Sequence, residues 1–208
     1  MDINEILEYN GLSVEILRSF SYKSQLGMSL KRTLRHFDKD ELLSEIFDYT
    51  DWLADKGISE IVSLDYRIKA LKSIELKYNR YYPNRQVDKT FNDILGMRAI
   101  CSDYTSILNC DSKEFHIADM SNGKKNDDGY RGVHVYYQID NYHYPIEIQF
   151  NTVFDRQLND WLHDYLYKKN YSLSYGKDIR LLYEQGYIHN LCDFEEVLYG
   201  LLSSKELQ

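Results

Sequence analysis

The chain is expected to fold as an α+β protein in which helices flank a small mixed β-sheet. Two observations carry this expectation. One stretch, Gly129 to Thr152, has apolar residues at every second position on either side of a turn signal. Segments of helical period lie before and after it, and the strongest runs from Thr152 to about Lys168 with Phe154, Leu158, Trp161, Leu162 and Tyr165 on one face. At 208 residues the chain can bury a good core. We expect a single domain, 1–208, with N-terminal helices over 1–58, a core over 60–170 and C-terminal helices over 171–208.

Taken in order, Ile3, Ile6, Leu7, Val14, Ile16 and Leu17 have helix-like spacing around Gly11 and predict two short helices. Leu26, Met28, Leu30 and Leu34 predict a third over Gln25–His36, with Lys31, Arg32 and Arg35 clustered on it. Asp38-x-x-Glu41 resembles a capping box and opens a helix to about Asp55, before Gly57 stops it. The pattern then alternates from Ser63 to Lys69, as a short strand would, and a helix follows over Leu71–Tyr81, ended by Pro83 and Asn84. Phe91 to Gly96 suggests a helical turn, Met97 to Cys101 a buried strand and Phe115 to Met120 another. A polar loop, Ser121 to Asp128, leads into the alternating stretch. Helices over 177–186 and 194–202 close the chain.

The alternating stretch reads as a hairpin. Val133, Val135, Tyr137 and Ile139 share one side of the first strand, and His134, Tyr136 and Gln138 the other. After the turn at Asp140–Asn141, Tyr144, Ile146, Ile148 and Phe150 share a face, with Glu147 and Gln149 opposite. Packing both apolar faces on a core brings His134, Tyr136, Glu147 and Gln149 onto one polar surface, because register fixes the side each residue takes.

Composition excludes several classes of function. No apolar run approaches a membrane span and no leader-like segment opens the chain, so a cytoplasmic protein with no membrane partner is expected. Cys101, Cys110 and Cys192 have no CxxC spacing, and the six histidines include no HExxH pair. A formal net charge of −8 argues against a broad electrostatic grip on nucleic acid but leaves room for a local basic patch.

The polar residues of these elements form a candidate constellation. Arg67, Lys69, Ser73 and Lys77 sit on one strand–helix unit and could hold a polyphosphate as charges and donors. Asp93 and Glu147, from different elements, could hold Mg²⁺, which favours oxygen ligands and keeps substrate phosphate in its shell. No GxxxxGK[ST] motif is present, so this is not a P-loop. Each piece also has a plainer explanation, since cations on a helix commonly form a solvated face and lone carboxylates commonly sit at the surface.

The motifs add to this. RIKALKSIELK at 67–77 resembles the RxKxxxSIxxK signature of the RelA/SpoT synthetase family. DILGMR at 93–98, GYRGVH at 129–134, EIQ at 147–149 and HDYLYK at 163–168 resemble its later motifs in the same order. The wording DDGYRGVHVY and YPIEIQFNT is most similar to the toxic small alarmone synthetases that pyrophosphorylate tRNA.

This resemblance implies a nucleotidyltransferase-like mixed sheet flanked by helices. It also implies an ATP-dependent pyrophosphokinase that moves the β,γ-pyrophosphate of ATP to a ribose 3′-hydroxyl. Carried over position by position, Arg67 and Arg98 would sandwich the adenine, while Lys69, Ser73 and Lys77 would hold the phosphates. Asp93 and Glu147 would bind Mg²⁺, with Glu147 also assisting deprotonation of the attacking hydroxyl. Tyr130 would stack on the acceptor base, with His134 and Gln149 lining that side.

The acceptor is read from departures within the motifs. Lys125-Asn126-Asp127-Asp128 stands where the family usually has a Lys-Pro-Asn-like lead, and Asn151 replaces a commonly basic position. Two carboxylates there disfavour an acceptor with terminal phosphates. The 3′-CCA end of tRNA is therefore the expected acceptor, with Lys31, Arg32 and Arg35 touching the acceptor stem. A translation-inhibiting toxin held by a protein antitoxin would follow. The alternatives are a small alarmone synthetase making (p)ppGpp or an adenosine relative from GDP, GTP or AMP, and an inactive nucleotide-binding regulator. Retention of Asp93 and Glu147 speaks against the last.

Overall fold

The computed structural model describes residues 3–110, 112–169 and 171–205, with the backbone alone at 204 and 205. The chain forms two compact units. The first comprises Met1–Ile100, Thr105–Ala118 and His134–Phe150; the second comprises Cys101–Tyr104, Asp119–Val133 and Asn151–Gln208.

The first unit opens with helices α1 (Ile3–Tyr9), α2 (Val14–Ser19), α3 (Lys39–Asp55) and α4 (Ile58–Ile61). Strand β1 (Asp65–Ile68), helices α5 (Leu71–Tyr81) and α6 (Val87–Thr90), strand β2 (Leu95–Ile100) and helix α7 (Thr105–Leu108) follow. Strands β3 (Phe115–Met120), β4 (Gly132–Tyr137) and β5 (Ile146–Asn151) complete a five-stranded sheet of order β1-β2-β5-β4-β3. This is the expected α+β arrangement. β1 runs antiparallel to β2, with Asp65 opposite Arg98 and Arg67 opposite Gly96.

Several boundaries follow from local chemistry. Asp38 Oδ1 accepts hydrogen bonds from the Asp40 and Glu41 amides at 2.9 and 3.1 Å and starts α3. Gly57 adopts φ +61°, a left-handed conformation suited to glycine, and separates α3 from α4. In the hairpin, Val133, Val135, Tyr137, Ile146, Ile148 and Phe150 are fully buried, as the alternation requires. Gln138, expected to face outward, is buried instead, and its Nε2 donates to the His143 carbonyl across the connection at 2.9 Å.

The helix expected over Gln25–His36 does not form. Only a 3₁₀ turn, Leu34–His36, is present. The Leu30 and Arg32 carbonyls accept from the Asp88 and Val87 amides at 2.9 and 3.1 Å, and the Leu34 amide donates to the Arg85 carbonyl at 3.0 Å. These backbone groups are satisfied by residues 85–88 and so are not available to a helical ladder. The helical turn expected over Phe91–Gly96 falls earlier, as α6.

Tyrosine, 20 residues in all, supplies part of the first unit's interior. Tyr49 stacks on Tyr22 and on Tyr144 at centroid distances of 4.7 and 5.6 Å, and the Tyr144 hydroxyl donates to Glu45 at 2.8 Å. Burial is tolerable for these rings because the polar tip of Tyr144 finds a partner.

The second unit carries α8 (Val153–Trp161), which passes into a π-helical segment at Leu162–Tyr167, then α9 (Ser174–Glu184) and α10 (Leu191–Lys205). Its apolar core joins Leu158, Leu162 and Leu166 to Ile179, Phe194 and Leu198. A buried polar cluster fastens the Asp127–Arg131 loop to it. Arg180, 1% exposed, donates to the Gly129 carbonyl at 2.8 Å, to Asp155 at 2.7 Å and to Asn159 at 3.1 Å. Asp155 also accepts from the Tyr104 hydroxyl at 2.6 Å. Two glycines let the backbones meet: a Cβ on Gly176 would run into the Asp128 carbonyl oxygen, and one on Gly129 into the Gly176 carbonyl.

Removing one partner of a buried, hydrogen-bonded ion pair strands the other charge. Arg180→Ala is therefore expected to lower unfolding free energy by about 3–5 kcal/mol, read from the midpoint of a denaturant titration at unchanged slope. Gly176→Ala is expected to shift the same midpoint downward, whereas Gly200→Ala, where a Cβ meets open space, should not. A wild-type midpoint in Gly176→Ala would contradict the close approach.

Candidate active site

The site is built on the edge of the sheet where β1, β2 and β5 lie side by side. The β1–β2 register sets Arg67 and Arg98 on one face, diagonal to each other across Gly96. Glu147 and Gln149 on β5 share that side, and all five line one cavity of about 370 Å³ with Asp65 and Tyr66. Gly96, opposite Arg67 and two residues before Arg98, brings no side chain to this cavity, and a Cβ there would lie 3.4 Å from Glu147 Oε2.

Asp93 lies just before β2 and is 8% exposed. Its Oδ2 accepts from Lys69 Nζ at 2.6 Å and its Oδ1 from Lys77 Nζ at 2.8 Å, with Arg67 Nη2 at 3.9 Å. The sequence places these cations there for simple reasons. Lys69 follows β1, its amide bonded to the Ile94 carbonyl at 2.8 Å, and Lys77 sits on α5. Burial alone would raise the Asp93 carboxyl, but Lys77 and Lys69 outweigh it and hold the group below the usual carboxylate range.

Glu147, 5% exposed, is the second buried carboxylate. Oε1 lies 2.9 Å from His134 Nδ1 and 3.1 Å from the Tyr136 hydroxyl, and Oε2 accepts from Gln149 Nε2 at 2.7 Å. Because a carboxylate only accepts, the His134 Nδ1 facing it carries the proton. Burial pushes Glu147 up, and so does the charge on Asp93; hydrogen bonding and charge from His134, with help from Gln149, push it down further, so the net direction is downward.

Asp93 and Glu147 are thus two ionised carboxylates within electrostatic reach of each other. Among the described residues no group of three or more His, Cys, Asp and Glu could hold a metal ion. Two carboxylates with the remaining positions left to phosphate and water fit Mg²⁺, which rarely uses an all-protein cage.

Of the residues singled out from sequence, Arg67, Lys69, Lys77, Asp93, Arg98, His134, Glu147 and Gln149 are brought together. Ser73 is exposed on α5, one turn from Lys77. Tyr130 belongs to the second unit, where Lys124 Nζ lies 4.9 Å from its ring centroid and Asn151 Nδ2 donates to its hydroxyl at 3.5 Å. Lys31, Arg32 and Arg35 are exposed; Lys31 and Arg32 lie on the segment paired with 85–88, and Arg35 lies in the 3₁₀ turn, its amide donating to the Pro83 carbonyl at 3.2 Å. Tyr136 was visible on the polar face of the hairpin but had no assigned role; its hydroxyl reaches Glu147, which period-two alternation alone could not show.

The two acidic residues before the Gly-Tyr motif are internally paired. Asp127 receives Arg131 at 2.8 and 3.0 Å, and Asp128 receives Lys124 at 2.6 Å. The Arg131 hydrogen bond holds Asp127 below its ordinary range.

Solved structures that resemble the chain include small alarmone synthetase 2 from Bacillus subtilis, with TM-score 0.43, 21% identity and coverage of 81% of this chain and 100% of that one. Small alarmone synthetase 1 from Bacillus subtilis bound to its product pppGpp gives 0.41, 19%, 81% and 95%. A GTP pyrophosphokinase family protein from Streptococcus pneumoniae gives 0.41, 18%, 81% and 92%. No curated protein matches in sequence. The sequence profile of the region found in RelA/SpoT proteins matches residues 66–172, just over half of the chain, and takes in both buried carboxylates and the cations around them. The chain belongs to the RelA/SpoT family of pyrophosphotransferases.

Proposed function

We propose that the chain transfers the β,γ-pyrophosphate of ATP to the ribose 3′-hydroxyl at the CCA end of tRNA, and so acts as a translation-inhibiting toxin restrained by a protein antitoxin. The observation that carries the transfer reaction is the Asp93–Lys69–Lys77 cluster beside Glu147 and the Arg67–Arg98 cavity.

Arg67 and Arg98 offer two guanidinium planes in a cavity to which Gly96 brings no side chain, a setting in which adenine is held by stacking and charge together. Lys69 and Lys77 meet the phosphates, with Ser73 as a further donor at the turn above. Asp93 and Glu147 would hold Mg²⁺, which would neutralise charge developing on the phosphates. The acceptor hydroxyl oxygen forms a bond to the β-phosphorus, the bond from that phosphorus to the α,β-bridging oxygen breaks, and AMP leaves with the electron pair. The hydroxyl proton passes to Glu147 and on to solvent. The depressed pKa of Glu147 suits it to holding a cation and makes it a transient proton acceptor. His134 and Tyr136 keep its carboxylate oriented with Gln149 as a third donor, and Tyr130 is the residue assigned to the acceptor base.

The tRNA acceptor is supported by the pairing in the lead-in to the Gly-Tyr motif. Arg131 and Lys124 are each paired one-to-one with Asp127 and Asp128. These pairs offer a terminal di- or triphosphate no excess positive charge, unlike Arg67, Lys69 and Lys77 around the single Asp93. A tRNA 3′ end brings only a bridging phosphate. The same pairing also cancels the repulsion those carboxylates would exert, which favours a second reading: a small alarmone synthetase using GDP or GTP through the same carboxylates and lysines.

Labelled ATP offered in parallel with deacylated tRNA, GDP, GTP and AMP separates the two. Label is expected in tRNA; label confined to guanosine nucleotides selects the second reading. Asp93→Asn and Glu147→Gln are each expected to lower turnover at least 100-fold, about 3 kcal/mol of barrier, while equilibrium binding of ATP falls much less. Because both carboxyls have depressed pKa values in the folded protein, they stay ionised as pH falls until below the ordinary carboxylate range near about 4. Any acid limb of turnover appearing between pH 5 and 7 in an otherwise folded protein would then belong to another group. Lys31→Glu with Arg32→Glu is expected to raise KM for tRNA about tenfold and leave AMP release with a small acceptor unchanged.

A further inference from the structure

A second cavity, of about 250 Å³, lies in the first unit on the other side of Tyr136 from the Arg67–Arg98 cavity, and nothing in the transfer reaction uses it. Its wall includes Arg85, Asp88, Lys89, Asn92, His116 and Tyr136. Asp88 is 3% exposed, and its Oδ1 has no hydrogen-bond partner among the described residues. A buried carboxylate oxygen without a donor is costly, and a native protein retains one where a ligand supplies the donor.

The rim around it is cationic. Burial pushes the Asp88 carboxyl above its ordinary range, and Lys89, Lys31 and His116, all within electrostatic reach, act against that and favour its charged form; Lys31 and Lys89 are also within reach of His116. Arg85 is held by its own contacts, Nε donating to the Lys89 carbonyl at 3.2 Å and the guanidinium lying 4.3 Å from the Tyr81 ring centroid. Pairing of residues 30–34 with 85–88 is what brings Lys31 within reach of Asp88. Tyr136 joins the cavity to the reaction site, because its hydroxyl donates to Glu147 Oε1 at 3.1 Å.

We propose that this cavity binds a cytidine nucleotide unit, its phosphate met by the Lys31–Lys89–Arg85 rim and its exocyclic amino group donating to Asp88. Acceptor-only Asp pairs with the cytosine N4 amino group, whereas uracil presents a carbonyl there. The volume suits one pyrimidine nucleotide. Its position beside Glu147 makes the occupant a neighbour of the acceptor hydroxyl, either the residue preceding an RNA 3′ terminus or a free nucleotide; the former rests on the tRNA reading above.

The test is equilibrium binding by the full chain, which needs no turnover. Fluorescently labelled single-stranded RNA ending in CCA is compared with the same RNA ending in UUA, with CMP and UMP as competitors. The CCA strand is expected to bind about tenfold tighter, Asp88→Asn to bring the ratio close to one because an amide can also donate to uracil, and Lys89→Glu to weaken both strands without changing the ratio. CMP competing while neither strand binds above background identifies a free nucleotide as the occupant. Equal affinity for the two strands in the wild type, with CMP no better than UMP, overturns the proposal. Failure of the tRNA reading shows separately, as absence of label transfer from ATP to tRNA while the C-over-U preference persists.

Discussion

The arrangement depends on neutralising one buried charge. Asp93 is almost fully enclosed, and a lone carboxylate there would be driven toward its neutral form. Lys69 and Lys77 reverse that, one on each oxygen. The pair of cations fixes more than a protonation state. Lys69 ties the end of β1 to the segment before β2, Lys77 ties α5 to the same point, and Arg67 approaches from β1. Strand, helix and turn therefore converge on a single carboxylate. The same geometry that satisfies Asp93 in the folded chain presents two ammonium groups beside a cavity where phosphates are expected. Under the proposed mechanism one set of charges would meet both structural and catalytic requirements, and a substitution of Asp93 would act on both.

Glu147 solves the same problem with neutral and weakly charged partners. His134, Tyr136 and Gln149 supply three donors, and the hairpin supplies them by alternation: residues two apart on β4 and β5 face one way. Where Asp93 is clamped by charge, Glu147 is oriented by a hydrogen-bond fan. That difference leaves Glu147 the more adaptable of the two, because its partners can rotate or exchange donors without separating an ion pair.

Much of this was legible in the sequence, and the failures have identifiable causes. α5 and β3 occupy the residues that periodicity assigned, Leu71–Tyr81 and Phe115–Met120, since each is a single periodic run with clear stops. The buried face of the hairpin also follows from alternation. Residues 25–36 misled because apolar spacing there looked helical while the backbone partners lay more than fifty residues ahead, at 85–88, where no local pattern could reveal them. Asp127 and Asp128 read in the sequence as carboxylates set against a terminal phosphate. Their pairing stays hidden there because their partners, Arg131 and Lys124, are four positions away within a loop, where helical spacing rules give no guidance. Arg180 carried no signal at all: its role depends on a carbonyl at Gly129 and on two side chains of α8.

The distribution of cations bears on what a chain of net charge −8 can bind. Exposed charges act over roughly 8 Å at physiological salt, so the local balance matters more than the total. Lys69, Lys77, Lys124 and Arg131 are engaged by Asp93, Asp128 and Asp127. The exposed segment Lys31–Arg32 and its neighbours Arg85 and Lys89 are gathered instead by backbone pairing, around a single buried Asp88. In the wall of the second cavity Arg85 and Lys89 outnumber the one acid, Asp88, so the local balance is positive on an acidic protein.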